Sequence, residues 1–215
     1  MTIENIDLTA RVFTHIRDAI TAGKYEQGTP MKLPQLSKEL GVSQTPIREA
    51  LIRLAEKEYL EKAGSRSYVI RAVSKQQYFK LSEIRAELEA SIIQQILKEE
   101  LPFNLSGWQD IYDLQAEAME SGDYEQGLIL NRNFHGYYLS QSNIPQVAEF
   151  VENICVIAGP ILHSLKGNRF TTDKDKHFHA HMLKAFEKRD PVMAADAVRS
   201  DIMVNAERIC SLMRH

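Results

Sequence analysis

Four polar side chains in the second half of the chain have the types and spacing of a metal site. Asn131 and His135 lie four residues apart in LNRNFHGYYL, so a helix through them carries both on one face. His179 follows in HFHAHMLKAF, and Asp201 in VRSDIM, on what the pattern makes the last helix. Imidazoles and a carboxylate brought together from three helices inside a bundle can hold a divalent cation. A plainer arrangement fits the same region, with His177, His179 and His181 on one polar helix face.

A second chemistry is written in VSQTPIREAL, residues 42–51. Ile47, Leu51 and Leu54 form an apolar stripe at helical spacing, and Pro46 sits just before it. Proline is tolerated in the first turn of a helix, where its missing N–H would have had no intrahelical partner. Ser43 is then the expected N-cap, its hydroxyl accepting a first-turn N–H. Gln44, Thr45 and Arg48 fall on the face opposite the stripe, at the N-terminal end. That end of a recognition helix reaches base edges in the major groove. Arginine pairs bidentately with guanine, glutamine with adenine, and threonine touches phosphate or a thymine methyl. An Arg48 ion pair with Glu49 or Glu56 on a solvated face is the simpler alternative.

The elements around these residues have to position them. Leu8, Val12, Phe13, Ile16, Ala19 and Ile20 share one face of a helix that stops at Gly23. GKYEQGTPMKL reads as a turn leading into a short extended piece. Leu33 to Leu40 is a short helix closed by Gly41, and a third helix runs from Ser43 to about Glu58. Residues 59–62 and 67–71 read as two strands around a glycine turn, with Ser65 and Arg66 at its tip. The order helix, helix, tight turn, helix, strand, turn, strand is a winged helix-turn-helix. Beyond about Ser74 the pattern is helical throughout. Breaks near Leu101-Pro102, Gly122, Asn143-Ile144-Pro145, Gly167-Asn168 and Asp190-Pro191 divide it into roughly six helices of a bundle.

Composition agrees with this division. The 215 residues are 44% hydrophobic and 26% charged, an ordinary globular balance. The formal charge of −3 is unevenly spread: residues 8–71 carry 11 Lys and Arg against 7 Asp and Glu, the rest 15 against 22. A basic first third on an acidic body points to a polyanion met by the first part alone. No apolar run is long enough to cross a bilayer, and MTIENIDLTARVF lacks the basic and apolar segments of a secretory signal. Cys155 and Cys210 are too few for a disulfide framework, which fits a reduced cytoplasmic setting.

The string from Ile20 and Gly23 through Gly28, Leu33, Leu36 and Leu40-Gly41-Val42-Ser43 to Thr45-Pro46-Ile47-Arg48-Glu49-Ala50-Leu51 and Arg53-Leu54 resembles the winged helix of GntR-family bacterial transcription regulators. The resemblance implies DNA contacts from the start of the third helix and from the wing, here Thr45, Arg48 and Arg66. The family most often has arginine where this chain has Gln44, which implies an altered operator preference.

The second part resembles the FCD effector-binding and dimerisation domain of the FadR-type branch. Ser82 to Glu89 is similar to its opening helix, Asn131 to His135 with Ser142-Asn143 to its middle motif, and His179 to Asp190 to its late one. That register makes His179, rather than His177 or His181, the ligand candidate. Many members bind a metal through one Asp and three His; here Asn131 stands at the Asp position and Asp201 at the last His position. The resemblance implies zinc, nickel or manganese at Asn131, His135, His179 and Asp201. It also implies a small carboxylate effector, for which Arg85 is the counter-charge. For Arg85 a structural pair with Glu83, Glu87 or Glu89 is the alternative.

The expected fold is mainly α. A winged helix-turn-helix of three helices and a two-stranded wing spans residues 1–73, and an all-helical effector and dimerisation domain spans 74–215. The expected function is a cytoplasmic, homodimeric repressor, not an enzyme, that binds double-stranded operator DNA and responds to a small organic acid, with no membrane partner. Two other readings remain: a metal-free regulator with an acyl ligand, and a metal-dependent hydrolase using His135, His179 and Asp201. The hydrolase leaves the winged helix unexplained.

Overall fold

The computed structural model describes residues 3–64, 67–142, 144–164 and 178–213. They group into two compact units. The first holds the residues up to Val73 together with Val156–Ser164, and the second holds Ser74–Cys155 with the described residues from Phe178 onward.

In the first unit, α1 (Ile3–Thr21) continues N-terminally past the start of its apolar stripe. It ends where Gly23, at φ +64°, lets Gly23 N–H reach the Ile20 carbonyl and Lys24 N–H the Ala19 carbonyl. Next come β1 (Pro30–Met31), α2 (Leu33–Leu40), α3 (Gln44–Glu56), β2 (Leu60–Lys62) and β3 (Tyr68–Ile70). The sheet has three strands in the order β1-β3-β2, all antiparallel, with Pro30 opposite Val69 and Leu60 opposite Ile70. The extended piece around Pro30 is thus a third strand of the wing sheet. Proline is acceptable there because β1 is an edge strand. Ile47, Ala50, Leu51 and Leu54 of α3 are fully buried against Val12, Ile16 and Ile20 of α1. Arg66 and Ser65 lie outside the described residues.

One expectation needs correction. Ser43 has the N-cap backbone conformation, φ −65° and ψ 161°, but its hydroxyl accepts no bond from the first turn. An N-cap side chain takes its bond from the N–H of the second or third helical residue. The third is Pro46, which has none, and Ser43 is exposed to water instead.

The second unit is built from α4 (Lys75–Lys98), α5 (Leu105–Ser121), α6 (Tyr124–Leu139), the first half of α7 (Pro145–Ser164), α8 (Phe178–Glu187) and α9 (Pro191–Leu212). Local chemistry sets their starts. Ser74 and Gln77 form a reciprocal capping box on α4, Asn104 and Asp123 cap α5 and α6, and Asp190 caps α9 ahead of Pro191. Helix α4 packs along α9, α8 on α9, and α5 on α6. Trp108, fully buried, stacks on Phe134 at 4.5 Å and donates its indole N–H to the Phe134 carbonyl at 2.9 Å. Phe134 in turn stacks on the His179 ring at 4.0 Å. This aromatic column fixes α5, α6 and α8 around the polar centre.

Helix α7 begins in the second unit, where Val151 and Cys155 are buried, and ends in the first, where Val156 joins the core of α1 and α3. Gly159 lies so close to α1 that a Cβ there would overlap the Ile20 and Thr21 carbonyl oxygens. His163 meets the Gly23 carbonyl through Nδ1 at 2.5 Å and Glu26 through Nε2 at 3.4 Å.

Candidate metal centre and nucleic-acid interface

His135 on α6, His179 on α8 and Asp201 on α9 converge in the buried core of the second unit. The two histidines meet Nε2 to Nε2 at 3.3 Å, and Asp201 Oδ2 lies 3.2 Å from one and 3.5 Å from the other. Two donors each about 2.0–2.1 Å from a tetrahedral ion stand about 3.3–3.4 Å apart. The three separations therefore fit one cation, and two imidazoles with one carboxylate suit zinc, nickel or manganese.

The outward nitrogens are committed elsewhere. His135 Nδ1 lies 2.7 Å from Glu89 Oε2 and 3.0 Å from the Tyr138 hydroxyl, and His179 Nδ1 lies 2.9 Å from Gln115 Oε1. A ligating imidazole holds its other N–H on an acceptor in this way, which fixes tautomer and ring orientation. Glu89 also takes the Tyr138 O–H and the Arg85 Nε–H, while Asn205 donates to Asp201 Oδ1 at 3.1 Å.

The electrostatics follow from this network. Burial alone would push the Glu89 carboxyl up, but Arg85 and then His135 hold it down at about 2. Burial likewise opposes ionisation of Asp201, yet His179 and His135 keep its carboxyl well below the usual range. Burial lowers His135, and Glu89 and Asp201 more than reverse that, leaving it above the ordinary imidazole value. Tyr138 is pushed well up by burial and then by Glu89, so it stays a proton donor.

Asn131, one turn ahead of His135, is half-buried, and its Oδ1 accepts from Gln115 Nε2 at 3.3 Å. Arg85 is buried on α4 and paired with Glu89, four residues on. Among the described residues its Nη2 is buried without a hydrogen-bond partner. His181 is half-buried on α8, and His177 lies outside the described residues. At the other unit, Ser43, Gln44, Thr45 and Arg48 are all exposed at the start of α3, opposite its buried stripe. Thr9 of α1 bonds Glu49 at 2.9 Å, and Arg53 lies over the Phe13 ring at 5.4 Å, which anchors α3 from behind.

Two family models match the chain, "Bacterial regulatory proteins, gntR family" over residues 8–70 and "FCD domain" over residues 80–203. The chain is a GntR-family transcription regulator. Its sequence is 31% identical over 163 residues to the HTH-type transcriptional regulator McbR of Escherichia coli K12, covering 76% of this chain and 74% of that protein. It is 22% identical over 209 residues to the HTH-type transcriptional regulator YdhC of Bacillus subtilis 168, covering 94% and 89%. The solved structure of E. coli McbR/YncC superposes with a TM-score of 0.84 at 26% identity, over 95% of this chain and 97% of that one. The GntR-family regulator thus carries a DNA-binding winged helix and an effector-type FCD domain. Among its described residues no helix is long and apolar enough to cross a membrane.

Sequence reasoning about this GntR-family regulator named Glu89 only as one of three alternative partners for Arg85, which the structure pairs with it, and missed its contact with His135 together with Gln115 and Tyr138. Glu89 carried one usable signal: with Arg85 it forms an i,i+4 pair on the face that bears Ala86, Ala90 and Ile93. Gln115 had none, since a glutamine in α5 looks like any solvated helix position.

Proposed function

We propose that this regulator is a homodimeric, cytoplasmic repressor whose hold on operator DNA is set by a small carboxylate, received at a divalent metal on His135, His179 and Asp201. One observation carries the reading: both Nε2 atoms and the Asp201 carboxylate face one another while both Nδ1 atoms are held from outside. A bound cation would supply a Lewis-acid anchor for a carboxylate. Arg85 adds a guanidinium with an unpartnered Nη2, which suits the same class of ligand. Gln44, Thr45 and Arg48 would read base edges, and Arg66 would serve the wing. Effector binding would favour one arrangement of the paired DNA-binding units. Half-site spacing then decides whether the operator is held.

The test is metal analysis of purified protein, joined to operator titrations with and without chelator and a panel of organic acids. Metal bound near one equivalent per chain, with operator affinity shifted by one acid class, supports the reading. Metal-free protein whose operator binding responds to acyl compounds favours the alternative. That alternative draws on the same geometry, because Glu89, His135 and Asp201 can satisfy one another through protons alone.

A further inference from the structure

We propose that Gln115 is the positioning residue of this centre, holding His179 as an Nε2 ligand and engaging the Asn131 oxygen, which leaves His135, His179 and Asp201 as the strong donors of the protein. The inference rests on the metal reading of the site. A ligand nitrogen needs its lone pair, so His179 must carry its proton on Nδ1. The acceptor 2.9 Å from that nitrogen is Gln115 Oε1. This orientation of the Gln115 amide leaves its Nε2 as the donor facing Asn131 at 3.3 Å, and a donor there requires the Asn131 oxygen. One amide thus sets two neighbours at once. Gln115 is 7% exposed and reaches both from α5, a helix that provides none of the three converging ligands.

An aspartate at position 131 would have a second oxygen and a charge to offer the cation after satisfying Gln115. Asn131 has neither. The Asn131 oxygen keeps one lone pair but carries no charge and faces Gln115, so the remaining coordination is open to water or to a small carboxylate.

The experiment uses full-length protein and zinc as the probe. Zinc affinity is measured by chelator competition for wild type, Gln115→Met, Gln115→Glu and Asn131→Asp. The nitrogens of His179 are read by 15N NMR of zinc-loaded wild type. Loss of an outer-shell partner of a ligand typically costs 10–100-fold in affinity. Gln115→Met is expected to lose about tenfold or more, and Gln115→Glu, which still accepts from Nδ1–H, to recover most of it. Asn131→Asp should bind more tightly than wild type. Zinc-loaded wild type should show His179 protonated at Nδ1 and ligated at Nε2. Should Gln115→Met fail to fold, that spectrum decides alone: ligation through Nδ1 overturns the assignment. Equal affinities for wild type and Gln115→Met overturn it while leaving the metal centre standing. No zinc binding by wild type sinks the metal reading and this assignment together.

Discussion

Glu89 Oε2 and His135 Nδ1 face each other at 2.7 Å, with the other carboxylate oxygen of Glu89 on Arg85. One buried anion therefore serves a cation on its own helix and a histidine on α6. The substitution Glu89→Gln leaves the Arg85 charge buried without its counter-ion. Breaking a buried pair from one side costs about 3–5 kcal/mol. Urea unfolding of Glu89→Gln should show a loss of that order. A loss within the error of the measurement would mean that Arg85 finds another partner.

The same carboxyl gives the metal-free protein an acid limit. It titrates at about 2 in the fold against an ordinary 4.5. Its contribution to stability is complete above 4.5 and is lost as the pH falls toward about 2. Unfolding curves of metal-free wild type should weaken across that window.

Metal binding adds a second pH dependence of the same direction, set by the histidine ligands. His135 sits above the ordinary imidazole value because Glu89 and Asp201 outweigh its burial. Protons then compete with the cation for His135 Nε2 at a higher pH than they would for an ordinary imidazole. Zinc affinity should fall as the pH is lowered from about 8 to about 6. Titrations that give one dissociation constant across this range would contradict a histidine ligand of this kind.

Gln44 is exposed at the first position of α3, beside Thr45 and Arg48. Gln44→Arg should change the preferred base at one half-site position from adenine toward guanine. Binding-site selection on both proteins checks this, and identical motifs would remove Gln44 from base reading. Loss of Arg48 should weaken operator binding and flatten its salt dependence if it meets phosphate, or relax one base position if it reads guanine.

Gly159→Ala tests the close approach of α7 to α1. Its Cβ would overlap the Ile20 carbonyl oxygen, and that atom belongs to rigid backbone. Overpacking typically costs about 1–3 kcal/mol, and a backbone obstacle places this case at the upper end. Gly136→Ala is the control: it is exposed on α6 with nothing within 4 Å of its added Cβ. It should be neutral or slightly stabilising, because alanine favours a helix over glycine by about 0.5–1 kcal/mol. Comparable melting temperatures for the two variants would argue against the close contact.

The recognition helix was legible because local physics writes it. Ile47, Leu51 and Leu54 set its buried face, Pro46 marks its first turn, and Gly41 ends the helix before it. The helices α4 to α9 followed from period and from the breaks between them, such as Leu101-Pro102, Gly122 and Asp190-Pro191, and β1 was visible only as an extended piece, since two residues carry no period. The site was half legible. His135, His179 and Asp201 are residue types that rarely enter a core without purpose, and all three are buried. The Glu89 contact with His135 and the role of Gln115 escaped because they depend on helices 46 and 64 residues away in sequence, reached only by packing. The N-cap bond of Ser43 was expected on residue type alone, and Pro46 removes one of the two donors it needed.

The path of α7 bears on how such proteins can be recombined. A cut after Val73 looks like a clean seam in the sequence, yet Val156 fills the core behind α3 and Gly159 is shaped to the end of α1. A gene fragment ending at the seam would encode a DNA reader missing one of its walls. A chimera that borrows a foreign effector half would inherit a foreign α7, and it would fold well only when that helix brings a small residue to meet Ile20.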